Sequence, residues 1–310
     1  MTHSKKQIFI IGCPRSGTTY LMRLLSSNKN FSWVSNELNK SPFTYSLSKG
    51  LKFYKTPILG KGFYLKANMF GRPLPTPVEA WNFWNSHIDY FQWKPQHCFT
   101  PRNSSPEDLD DKQIEKTRSA IDSICEYSGN SIFLSKYTDF PRIKMLKKIF
   151  PEAKFIHLVR DGRAVANSYT QKIKSGDFNT SKEVENWMSA WPKEWQDQFI
   201  ELEKNPIAFT LTQWKFFVSQ IKSELNELPK EDHIEIKYSN LTSDQDTEID
   251  KILSFCDLKI DNNMKYFMKM KPSNDMNFKW KEKLSDEEKY IFKKVLEDKK
   301  MEDYLDKEDF

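Results

Sequence analysis

The chain has 310 residues, 38% of them hydrophobic, and a formal net charge of +5 from 48 basic and 43 acidic side chains. No apolar run approaches the ~20 residues that span a bilayer, and the four cysteines (Cys13, Cys98, Cys125, Cys256) form no Cys-x-x-Cys pair of a zinc site or disulfide frame. The lysines are scattered rather than blocked, which argues against a nucleic-acid partner and favours an anionic small ligand.

Met1–Lys6 runs straight into an apolar stretch, so the sequence predicts no leader, no transmembrane segment, reduced thiols and a cytoplasmic protein. Residues 8–11 (Ile-Phe-Ile-Ile) read as a strand buried on both faces. A loop with Gly12, Cys13, Pro14, Arg15, Ser16 and Gly17 follows, then a helix from Thr18 and Thr19 to about Leu25. Strand, glycine-bearing loop and helix start make an anion cradle of backbone N–H groups at the positive end of a helix dipole. The glycine spacing is that of the ATPase phosphate loop, but Thr18 stands where its lysine belongs and the basic residue is Arg15.

Residues 31–35 read as a second strand ending at Asn36-Glu37. Residues 40–110 are the least regular part, broken by prolines and rich in aromatics around Trp81–Trp93, with His87 and His97 inside. Such an insertion beside an anion loop suits an acceptor pocket or lid, or else a helical insertion whose aromatics are core. A helix over 107–128 precedes a third strand, 131–135, ending in Lys136. Pro141 opens a helix from Arg142 to Phe150, and residues 154–159 form another buried strand, in which His157 reads as core.

That strand ends in Arg160-Asp161-Gly162-Arg163, where an ATPase would present an acid to magnesium. Arg160 and Ser168, the latter two turns into the next helix, can donate to a second phosphate, with Lys172 one turn further on the same face. The alternative for Arg160 is an ion pair with Asp161 or another acid. Two aromatic helical patterns occupy 181–228, a last strand runs from His233 to Tyr238, and a helix spans Asp244 to Cys256. The polar stretch 271–281 contains Ser273, Asn274 and Lys279, and Ser285-Asp286-Glu287-Glu288 is a capping box for a final helix.

These elements predict an α/β, P-loop-NTPase-like three-layer fold: a mainly parallel sheet of roughly five strands flanked by helices, in a single domain over residues 1–310. The ligand of such a sheet lies outside the carboxyl ends of its strands. The 15–19 loop, Glu37, Lys136, Arg160 and Tyr238 all fall at strand ends. Two anion sites on one rim suit a 3′,5′-bisphosphorylated adenosine.

The stretch Cys13-Pro14-Arg15-Ser16-Gly17-Thr18-Thr19 resembles the 5′-phosphosulfate loop of the sulfotransferases. Residues 155–163 with Ser168 resemble their 3′-phosphate motif, and Lys237-Tyr238-Ser239-Asn240-Leu241 and Lys279-Trp280 are similar to further family segments. The resemblance is closest to the bacterial and protein-tyrosine sulfotransferase-like branch. It implies metal-free transfer of a sulfuryl group from 3′-phosphoadenosine 5′-phosphosulfate (PAPS), leaving 3′-phosphoadenosine 5′-phosphate (PAP). It implies Glu37 as general base with Lys136 and Arg15 as catalytic cations, His87 and His97 being the rival bases. The expected nucleotide contacts are Arg15, Ser16, Gly17, Thr18, Thr19, Arg160, Ser168, Lys172, Tyr238, Ser273, Asn274 and Lys279. The 237–240 segment lacks the family's acidic pair, and 271–281 lacks the glycines of its cytosolic members. The acceptor, whether small molecule, carbohydrate, lipid or peptide, is left open. So are two rival readings: a divergent P-loop nucleotide kinase or NTPase, and a catalytically silent nucleotide-binding protein.

Overall fold

Lys6–Gly12 is the first strand, β1, and every residue after Lys6 is buried. Successive side chains of a strand point to opposite faces, and this strand supplies a core to each. Ile8 and Ile10 pack with Leu21, Leu24, Leu134 and Leu158 on one side. Phe9 and Ile11 pack with Trp84, Ile121, Phe133 and Phe155 on the other. Burying an apolar side chain of this size contributes about 1.5–3 kcal/mol, so a strand apolar on both faces is most stable at the centre of a sheet.

The computed structural model describes residues 6–55, 75–89, 91, 101–174, 180–269, 277–281, 285–297, 301 and 305. Five strands form one sheet in the order β2-β3-β1-β4-β5, with β2 at Phe31–Ser32, β3 at Ile132–Thr138, β4 at Lys154–Val159 and β5 at His233–Lys237. Every ladder is parallel. In register, Gly12 faces Thr138, Ile11 faces His157, and Val159 faces Lys237. The segments that begin at Cys13, Asp139, Arg160 and Tyr238 therefore leave the sheet along a single rim. Helices cover both faces, giving the three-layer P-loop-like α/β fold.

Helices begin just past the strand ends. Thr18–Ser26 (α1) continues from the first loop, Asn36–Lys40 (α2) comes after β2, and Gly162–Lys174 comes after β4. Trp214, in the long helix Pro206–Leu225, is fully buried and donates its indole Nε1–H to the carbonyl of Arg160 at 3.1 Å. A Cβ on Gly162 would stand 2.6 Å from that ring. Gly162→Ala is therefore expected to destabilise by about 1–3 kcal/mol, the usual cost of overpacking. Urea unfolding should show a lower midpoint with an unchanged slope; an unchanged midpoint would contradict the packing described.

The chain differs from its sequence reading in several places. β2 is two residues long, not five, because Ser35 caps α2 through its hydroxyl and Leu38 N–H and ends the extended run. β3 runs to Thr138, so Lys136 lies inside the strand rather than at its tip. The region read as two helical patterns contains three helices, Thr180–Ser189, Lys193–Glu201 and Pro206–Leu225, because Pro192 and Pro206 each start a new one. His157 is the core residue expected, fully buried with its Nδ1 3.2 Å from Glu235 on the neighbouring strand. In the insertion, Phe83, Trp84 and Phe91 are fully buried, with Trp84 packed on Phe9, Trp84 and Phe91 on Tyr137, and Phe83 on Trp84, so these aromatics serve the core.

Candidate active site

The first loop is tied back on itself. Ser16 directs its N–H and its hydroxyl to the carbonyl of Cys13, at 3.2 and 2.7 Å. Its side chain is buried and braces the loop. Thr18 is also buried, so Arg15 and Thr19 are the loop's exposed side chains. Gly17 is the N-cap of α1, brings no capping side chain, and is followed by no acid in the first turn. The first N–H groups of a helix lack intrahelical acceptors, and here no side chain of the cap takes their place. At the positive end of the helix dipole, N–H groups of this kind are suited to an anion. Gly17 is obligatory: its φ is 97°, and a Cβ would lie 2.5 Å from the Tyr238 ring. Arg15 also holds a left-handed φ of 71°, a conformation that costs a non-glycine residue roughly 1–2 kcal/mol.

Both predicted anion sites meet around Arg15. Its guanidinium Nε donates to Ser168 Oγ at 3.1 Å. Its carbonyl accepts from Arg160 Nη1, also at 3.1 Å. Arg160 further donates from Nε to Asn277 Oδ1 at 2.9 Å and lies 4.6 Å over the Tyr238 ring. Asp161 forms its ion pair with Arg163 at 2.6 Å, and Arg163 stacks on Trp280 at 4.6 Å. The motif's two arginines thus have different jobs. Arg163 fastens the helix start to the core, while Arg160 reaches across to the first loop.

A second group lies beside it on the same rim. Lys136 is buried, with its ammonium 3.2 Å from Glu79 Oε2. Burial lowers the Lys136 pKa from the ordinary lysine value, and the Glu79 charge opposes that fall. Glu37, in the first turn of α2, has both carboxylate oxygens shielded from solvent with no hydrogen-bond partner among the described residues. A strap of residues 75–79 runs alongside: Asn36 N–H donates to Thr76 O at 3.0 Å, Thr76 N–H donates to Asn36 Oδ1 at 2.8 Å, and Ser35 pairs antiparallel with Pro77. Glu37 is therefore in a short helix past the strand, held by its neighbours' strap contacts.

His87, one rival base, is buried with Nδ1 2.7 Å from Phe83 O and Nε2 2.9 Å from Tyr45 Oη. Its burial lowers its pKa, and both ring nitrogens are engaged in packing contacts. Tyr238 is the first residue of the helix Tyr238–Ser243, not the strand end expected, and it packs beneath Gly17 and Arg160. Lys172 is exposed on its helix and Lys279 half-buried in the turn beside Trp280. His97, Ser273 and Asn274 lie outside the described residues. Sequence reasoning missed Glu79, Thr138, Asn277 and Trp214 as members of this rim. Only tertiary placement reveals them, though Asn277 belongs to a stretch already marked as polar.

A family model described as "Sulfotransferase family" matches residues 7–262. No curated protein matches the chain. Among solved structures it is similar to sulfotransferase STF9 from Mycobacterium avium, with TM-score 0.57 and 16% identity over 95% of this chain and 76% of that one. It is also similar to sulfotransferase STF1 from Mycobacterium tuberculosis H37Rv, with TM-score 0.55 and 13% identity over 94% and 77%. At such identities these likenesses speak for the fold, while the family match covers most of the chain.

Proposed function

This chain belongs to the sulfotransferase family, and we propose that it transfers the sulfuryl group of PAPS to a hydroxyl or amine acceptor, with Glu37 as general base. The observation that carries the reading is the pair of links through Arg15, to Ser168 by its side chain and to Arg160 by its carbonyl. One bisphosphorylated nucleotide satisfies both ends of such an arrangement. A kinase or NTPase would need a lysine at position 18 and a strand-end acid for magnesium, where this chain has Thr18 and Arg160.

In this reading Arg15 and the N–H groups of Gly17, Thr18 and Thr19 hold the 5′ anion. Arg160 and Ser168 hold the 3′-phosphate, with Lys172, Tyr238, Ser273, Asn274 and Lys279 as further contacts. The donor supplies an electrophilic sulfur whose leaving oxygen gains charge as the bond breaks. Lys136 and Arg15 stabilise charge on that side of the site. Glu37 accepts the acceptor's proton as attack proceeds; a carboxylate shielded from solvent and without a hydrogen-bond partner among the described residues suits this, because it can accept from an incoming O–H or N–H. The residue set requires no metal. Residues 1–310 act as one domain in which the 40–110 insertion shapes the acceptor pocket. Cys13, Cys125 and Cys256 are buried thiols outside any disulfide, which fits a reducing cytoplasm.

The test is a screen with sulfur-radiolabelled PAPS against sugars, lipids, tyrosine peptides and simple phenols. Label should move to at least one class. Nucleotide binding with no transfer to any class, and no release of sulfate to water, would favour the silent nucleotide-binding alternative.

A further inference from the structure

Lys136 poses a physical problem that the proposed reaction does not solve. It lies within a strand and its side chain is only 7% exposed. Taking an ammonium out of water costs several kcal/mol unless a partner compensates. Arg23, on α1, adds a like charge that pushes the Lys136 pKa further down. A lysine required to be cationic in catalysis must be held so by something nearby.

We propose that Glu79 is a positioning residue for Lys136, fixing its ammonium within the sulfuryl-transfer site and keeping it charged. This rests on the catalytic role given to Lys136 above. Glu79 uses its two oxygens differently. Oε2 faces Lys136 at 3.2 Å, and Oε1 accepts from the Thr138 hydroxyl at 2.5 Å. Residues two apart on a strand share a face, so Lys136 and Thr138 present a matched pair of donors to one carboxylate. Asp139, just past β3, is ion-paired with Arg142 at 2.6 Å, and burial raises its pKa against that pairing, with the Glu79 charge adding to the rise.

The same strap holds the general base. Thr76 and Pro77 pair with Asn36 and Ser35, and Val78 N–H reaches Val34 O at 3.4 Å. Three residues after Thr76, Glu79 reaches β3. One short segment within the insertion therefore contacts both the start of the Glu37 helix and Lys136.

The test uses the full chain with [ε-13C]lysine, the Lys136 signal being assigned by its absence in Lys136→Arg. In Glu79→Gln, which keeps the side chain's shape, Lys136 should titrate about 1–3 pH units lower than in the wild type, the usual effect of an opposite charge at this range. Release of PAP from PAPS to water, which needs no acceptor, should fall by up to about 10²-fold, as misplacement of a catalytic group predicts. PAP affinity should stay within about twofold, and Glu79→Asp should recover part of the rate. A Lys136 midpoint unmoved in Glu79→Gln overturns the proposal while leaving the role of Lys136 intact. Full PAP release by Lys136→Ala overturns both. If Glu79→Ala does not fold, the isosteric Gln variant carries the result.

Discussion

Glu37→Gln should lose about 10²–10⁴-fold in sulfuryl transfer, the range general-base catalysis supplies, and should bind PAP as the wild type does. The substitution keeps size and shape, and neither Glu37 oxygen has a hydrogen-bond partner among the described residues. No bond to a described residue is therefore broken, and the fold should be unharmed. What changes is basicity: an amide cannot take the acceptor's proton. Single-turnover kinetics with PAPS separates the chemical step from binding. A variant that retains wild-type transfer would return the question to His97, since the two nitrogens of His87 are already occupied by Tyr45 and Phe83.

Arg160→Ala should weaken PAP binding by about 10–150-fold, the value of a charge-assisted hydrogen bond of about 1.5–3 kcal/mol, and barely change the affinity for adenosine 5′-phosphate. The selectivity for a 3′-phosphate is what disappears. Part of this comes through position as well as charge, because Arg160 is fixed by Asn277, the Arg15 carbonyl and the Tyr238 ring. Arg160→Lys keeps the charge but loses the fork of donors that meets these partners together. It should recover only a fraction of the lost affinity. Equal losses for the two nucleotides in Arg160→Ala would mean that the residue supports the first loop and does not read the 3′-phosphate.

Much of this rim is legible in the sequence because its chemistry lies in continuous segments. An apolar run, a glycine loop and a helix start are local features, and so is a strand that ends in arginine. Register then aligns them, since Gly12 faces Thr138 and Val159 faces Lys237. The misreadings are of boundaries. Ser35 reads as strand, although a serine before Asn36-Glu37-Leu38 is also an N-cap, and the cap prevails. Lys136 reads as a strand tip because a buried lysine breaks the apolar pattern, yet its partner lets the strand continue for two more residues. Glu79 cannot be read from the sequence at all. It lies 57 positions from Lys136, in a proline-broken segment without periodicity, and the antiparallel contact with residues 34–36 carries it to the rim.

The central claim is that two anion sites on one sheet edge hold a single bisphosphorylated nucleotide. Isothermal titration of the wild-type chain with PAP and with adenosine 5′-phosphate tests it most directly. PAP should bind tighter by at least about tenfold, since the 3′-phosphate gains a charge-assisted hydrogen bond of about 1.5–3 kcal/mol or more; equal affinities for the two nucleotides would contradict a shared site.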